Sequence, residues 1–122
     1  MRTLEQELAA QIYKQVAQLD TDAIRATEYG GMAHKLPVLI RQAGLVQALA
    51  YVHARGKDGA KRLLRDLAKV LEWNSADELL DKSREAELLD YMHLTRKAIM
   101  ALTWYKRFAQ SVLGVEPTDQ GE

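Results

Sequence analysis

The chain has 122 residues, 48% of them hydrophobic and 28% charged, which fits one globular domain with a real core and argues against disordered or membrane-embedded classes. Its 17 basic and 17 acidic side chains cancel, which argues against a free-standing, strongly basic nucleic-acid binder. Cysteine is absent, so disulfide and thiolate chemistry are excluded; with no basic-then-apolar leader and no long apolar run, the expectation is a cytoplasmic protein that does not enter a membrane.

Thr3 followed by Gln6 reads as a capping box, and Leu8, Ile12, Val16 and Leu19 repeat at helical spacing behind it. Asp20 or Asp22 is suited to cap a second helix, which Gly30-Gly31 weakens. From Lys35 to Tyr51 the chain is strongly apolar. Pro37 suits the first turn of a helix and Gly44 its end, so two short helical pieces are expected here. Leu45, Leu49 and Val52 mark the next apolar face, which Gly56 stops.

The clearest amphipathic pattern runs from Asp58 to Trp73. Ala60, Leu63, Leu64, Leu67 and Leu71 make one face, while Lys61, Arg65 and Lys69 follow at successive i+4 positions on the other side. Ser75 with Glu78 predicts a second capping box and a short acidic helix. Ser83 is read as the start of a long helix reaching about Leu113, with Gly114 and Pro117 as stop signals. On that helix Leu88, Met92, Ile99 and Leu102 predict an apolar face, and Met100, Trp104 and Phe108 a second stripe. Apolar residues on most sides predict a central, buried helix, with Trp104 and Phe108 as candidates for a subunit interface. No segment alternates long enough to be a strand. The expected fold is all-α, a compact bundle of about six helices with a long C-terminal helix. Residues 1–115 form its single domain and 116–122 a flexible polar tail.

Catalytic chemistry is not visible. His34, His53 and His93 are dispersed without ligand-type partners, so no metal site is expected. The acids between Glu72 and Asp90 fall mostly on helix starts, where they serve as caps. The segment GKDGAK lacks the phosphate-loop pattern, and no Ser or Thr has a neighbouring base and acid. A non-enzyme is therefore expected, with no cofactor and no small-molecule substrate.

Charge is segregated along the chain. Arg55 to Lys69 carries six basic residues and two acids, Glu72 to Asp90 seven acids and two basic residues, and Tyr91 to Val115 four basic residues and no acid. Cations one helical turn apart lie about 6 Å from one another along the axis, so Lys57, Lys61, Arg62, Arg65 and Lys69 form a ladder able to follow phosphates. The competing reading is a solvated helix face with Asp58 and Asp66 paired in. No exposed aromatic interleaves the ladder, so contact through backbone charge is expected, without base stacking.

Three segments resemble a known family: RTLEQELAA at 2–10, EYGGMAHKLPVLIRQAGLVQALAY at 28–51 and ALTWYKRFAQSVL at 101–113. They resemble the small subunit of the Cmr complex, the type III-B CRISPR RNA-guided interference assembly. The central segment is the specific one, and its run from Lys-Leu-Pro to Gly-Leu favours Cmr over the related type III-A small subunit. The resemblance implies an all-helical, non-catalytic subunit that stacks in copies as a minor filament. Its implied partners are the large polymerase-like subunit, the backbone subunits, further copies of itself, and the guide and target RNA. Carried over by position, the resemblance makes Lys35, Arg41, Lys106 and Arg107 RNA-contact candidates; the Lys57–Lys69 ladder lies outside the signature and is inferred from charge alone. Gly30-Gly31 and Tyr105 depart from the family pattern. The alternative function is a helical adaptor that binds only protein.

Overall fold

The computed structural model describes residues 1–19 and 23–117, so the proposed caps Asp20 and Asp22 and the tail from 118 onward lie outside the described residues. Six helices follow one another: α1 (Leu4–Ala17), α2 (Ala23–Ala43), α3 (Leu45–Arg55), α4 (Asp58–Val70), α5 (Ala76–Glu85) and α6 (Leu88–Ser111). The fold is all-α with a long C-terminal helix, and no strand occurs among the described residues.

α1 opens as its sequence requires. Thr3 Oγ1 accepts from the Gln6 amide at 3.0 Å, and the Gln6 side chain accepts from the Thr3 amide at 2.8 Å. α2 departs from expectation. It runs unbroken for 21 residues through Gly30-Gly31 and carries Pro37 in its interior, so Pro37 neither starts a helix nor divides the apolar segment. An interior proline removes one helical hydrogen bond and costs about 3 kcal/mol in isolation. Tertiary burial offsets that cost: Tyr29, Met32, Leu36 and Ile40 of α2 are in the core, and the helix packs against α3, α4 and α6. The division falls at Gly44 alone, whose φ of +89° turns the chain directly from α2 into α3. Gly56 then caps α3.

Gly30 is tolerated because its lack of a side chain is used. A Cβ there would stand 2.7 Å from the Cβ of Val115, so Val115, beyond the end of α6, seats directly on α2. Nearby, buried His34 meets the Val115 carbonyl through Nε2 at 2.9 Å. Gly114, at φ +70°, turns the chain to make this contact, and its role as a stop signal is as expected.

The start of the last helix is a second correction. Ser83 is buried within α5 and its hydroxyl donates to the Leu80 carbonyl at 2.7 Å; α6 begins five residues later, after Glu87. Ser75 does cap α5, accepting from the Glu78 amide at 3.1 Å, but the Glu78 carboxylate accepts from the Asn74 amide at 3.2 Å. Nor is α6 buried on most sides. Leu88, Met92 and Met100 are 71%, 45% and 49% exposed. The buried seam is Leu94, Ala98, Ala101, Leu102, Tyr105 and Ala109. Its alanines let α6 approach α1 and α2 closely, whereas a seam drawn through the largest apolar residues misses them. The helix that packs against all five others is α4.

Candidate nucleic-acid interface

The position of α4 is fixed at its first turn. A Cβ on Gly59 would fall 2.5 Å from both the Arg25 carbonyl oxygen and the Glu28 Cβ, so the two helices cross at backbone contact. The Gly59 amide donates to Glu28 Oε1 at 2.9 Å, giving α4 a carboxylate cap supplied by α2. That amide is thereby committed within the fold.

The inward face of α4 buries Ala60, Leu63, Leu64 and Leu67, with Leu71 half-buried after its end. Lys57, Lys61, Arg65 and Lys69 are exposed and Arg62 is half-exposed. Asp66 is not on the outer face with them. It is 7% exposed, and its Oδ2 accepts from the Tyr29 hydroxyl at 2.6 Å. Sequence spacing holds the signal: Leu63, Asp66, Leu67 and Val70 are one i, i+3, i+4, i+7 set. The reading of Asp66 as a surface partner for the ladder is therefore corrected. Gln15 of α1 donates to the Asp66 carbonyl at 3.1 Å and accepts from the Tyr105 hydroxyl, and the Tyr29 and Tyr105 rings meet edge to face at 6.3 Å. Tyr105 is thus a core hydrogen-bond donor.

Burial pushes the Asp66 carboxyl above the usual carboxylate range; the Tyr29 hydrogen bond and then the charges of Arg62, Lys69 and Arg65 pull it back down. Burial likewise raises the Tyr29 and Tyr105 phenols far above their ordinary value, so both remain neutral donors.

With Asp66 withdrawn, no salt bridge within 4 Å ties Lys57, Lys61, Arg62, Arg65 or Lys69 to an acid among the described residues. Lys61, Arg62 and Arg65 converge on a groove of about 550 Å³, where Arg25 of α2, His53 of α3 and Asp77 of α5 also lie. His53 Nε2 and Asp77 Oδ1 approach to 3.6 Å across its end. Sequence reasoning misses Arg25 and His53, because nothing local links them to α4; only the crossing of the helices brings them there.

The remaining candidates do not line this groove. Lys57 and Lys69 extend the ladder beyond it at either end of α4. Lys35 stands over the Tyr51 ring at 5.6 Å, and Arg41 is exposed in the last turn of α2. On α6, Lys106 is exposed, and Arg107 lies over Trp104 at 5.6 Å. Trp104 stacks on Phe108 at 5.6 Å, and Phe108 meets Tyr13 of α1 edge-on at 5.4 Å. Both aromatics are half-buried, packed against the core with one side open.

Among the described residues, no group of three or more acids or histidines is placed to hold a metal ion, and no helix is long and apolar enough to cross a membrane. The described chemistry is that of a charged, grooved surface on a rigid helix.

Comparison with known proteins agrees with this fold. The family model described as CRISPR-associated protein (Cas_Cmr5) matches residues 4–112. The chain is 50% identical over 113 residues to the CRISPR system Cmr subunit Cmr5 of Thermus thermophilus, covering 93% of this chain and 98% of that protein. The crystal structure of a CRISPR-associated Cmr5 family protein from Thermus thermophilus superposes with a TM-score of 0.82 at 48% identity, over 93% of this chain and 99% of that one. An all-α bundle matched from α1 to the end of α6, in sequence and in shape, places this chain in the CRISPR-associated Cmr5 family.

Proposed function

We propose that this protein is a non-catalytic structural subunit of the type III-B CRISPR Cmr ribonucleoprotein complex, and that it holds the guide–target RNA duplex through the outer face of α4. The Thermus relative is named as a subunit of that system, which supports the assembly. The observation that carries the RNA contact is the inward turn of Asp66, which leaves Lys61, Arg62, Arg65 and Lys69 without a salt-bridged acid among the described residues. Lys57 extends this face, with Lys35, Arg41, Lys106 and Arg107 as further contacts away from the groove. Contacts of this kind read backbone charge and are indifferent to base sequence.

Copies of the chain stack beside the RNA-holding backbone of the complex as a minor filament. The half-open Trp104–Phe108 stack and the overhanging Leu88 and Leu89, 71% and 78% exposed, supply apolar surface for contacts with other subunits or copies. Those same residues favour the second reading, an adaptor that touches protein only. Crosslinking in the assembled particle separates the two. Crosslinks from α4 to RNA support the first; retention of the chain in the particle with no RNA crosslink from any residue sinks it and leaves the adaptor.

The direct test is charge reversal. Replacing Lys61, Arg65 and Lys69 by glutamate is expected to lower target-RNA retention by the assembled complex at least tenfold. The dependence of log affinity on log salt should flatten by about 0.9 for each phosphate that is no longer held. Unchanged retention and slope would remove α4 from the interface.

A further inference from the structure

Asp66 and the cations on its helix form one electrostatic unit. The carboxylate lies under the ladder, with Arg62 one turn before it, Lys69 one turn after, and Arg65 adjacent in sequence. From α2 it receives the Tyr29 hydroxyl at 2.6 Å. From α6 the neutral phenol of Tyr105 stands against Tyr29, and α1 offers only the Gln15 amide, bonded to the Asp66 carbonyl. The groove that takes Arg62 and Arg65 is also lined by Arg25 of α2, Asp58 of α4, His53 of α3 and Asp77 of α5. The cations stabilising the buried charge are thus those exposed to an incoming polyanion.

We propose that RNA engaged along α4 is bound together with a proton, taken from solvent by the Asp66 carboxylate to give the neutral acid. This rests on the reading of α4 as the phosphate-binding face and adds a regulation to it. Phosphates that neutralise Arg62, Arg65 and Lys69 remove the field that keeps a buried carboxylate charged. Tyr29 continues to donate to Oδ2 whether or not the carboxyl is protonated, so the core keeps its hydrogen bond. Linkage makes the effect reciprocal: a neutral Asp66 leaves α4 one unit more positive and raises its affinity for RNA by the same factor.

The experiment uses the full chain, a fluorescein-labelled oligouridylate and a labelled RNA duplex. Dissociation constants are read by anisotropy from pH 8 to pH 5.5 at constant ionic strength. Tightening of roughly three- to tenfold toward acid is expected for the native protein, the size of a one-charge change at partly screened distance. Asp66→Asn, which keeps an acceptor for Tyr29, should bind at the acid-limit affinity with that pH dependence gone. Tyr29→Phe removes a bond that favours the charged carboxylate and should move the dependence to higher pH. His53→Gln controls for the groove histidine and should leave the Asp66-dependent part in place. Calorimetry in two buffers of different ionisation enthalpy should record proton uptake on binding in the native chain and less in Asp66→Asn.

An unchanged pH slope in Asp66→Asn, or a slope abolished by His53→Gln alone, overturns the proposal. The reading beneath it is tested separately at a single pH. RNA binding indifferent to the Lys61, Arg65 and Lys69 reversals sinks the phosphate face itself. Binding that needs those cations but ignores pH sinks only the proton.

Discussion

Asp66 makes stability, as well as binding, depend on pH. Its carboxyl is raised in the fold by burial, so the protonated form suits the native state better than the charged form does. Stability from this group is therefore fully present below the ordinary carboxylate value of 3.8 and is lost as pH rises through the higher folded value. Asp66→Asn should remove that loss. Urea melts of the two proteins are expected to show the variant gaining on the native chain as pH rises through this window, then holding a constant lead. Glu72 is the other residue whose setting costs stability. It adopts φ +71° at the end of α4, where its amide meets the Lys69 carbonyl and the Trp73 amide meets that of Ala68. This is a left-handed helix end that favours glycine, filled here by a branchless but Cβ-bearing residue. Glu72→Gly is expected to raise stability by about 0.5 kcal/mol, the relieved strain slightly exceeding the added freedom of the unfolded chain. A lowered urea midpoint would show that the Glu72 side chain supplies an interaction worth more than its strain.

At the scale of elements, helix crossings matter more than helix propensity. Gly59→Ala should cost about 3 kcal/mol, because the new methyl meets the backbone of α2 and neither helix can yield without moving the Glu28 cap. Equilibrium denaturation checks this, and a loss below 1 kcal/mol would mean that the crossing opens easily. Gly30→Ala pits a helix-propensity gain of about 1 kcal/mol against the ejection of Val115, and the net outcome expected is a loss of about 1 kcal/mol. These crossings also explain what the sequence can and cannot convey. Gly44, Gly56 and the Thr3 cap act locally and are readable as boundaries. Pro37 misleads because its local penalty is overridden by the packing of α2 on three neighbours, a sum over distant residues. Ser83 misleads because a helix-cap residue and a buried hydroxyl bonding back to Leu80 look alike in one dimension. Of the candidate interface, the ladder on α4 is legible from its four-residue spacing. The meeting of that ladder with Arg25 and His53 is not, since it exists only once α2 and α3 cross α4.

Over the whole molecule, a net charge of zero conceals charges segregated along the chain. The cations of α4 lie open, while the acids from Glu72 onward lie along α5 and the start of α6. RNA association by such a molecule should be steep in ionic strength despite its neutrality. Raising salt from 50 to 200 mM is expected to weaken binding by a factor of ten or more if two phosphates are held. A flat salt response would indicate that the net charge, and not the local face, governs the encounter.

The seat of Val115 on Gly30 governs how each copy is made. The central helix α2 is synthesised early, but one of its walls is supplied by α6 and its last contact by a residue close to the end of the described chain. Until that stretch leaves the ribosome, Tyr29, Met32 and Leu36 lack part of their cover, and His34 lacks the Val115 carbonyl. Folding is thus completed only once α6 and Val115 have emerged. A nascent chain halted before α6 should be digested rapidly by protease, and recruitment into a larger particle should begin only from copies in which α6 and Val115 are in place.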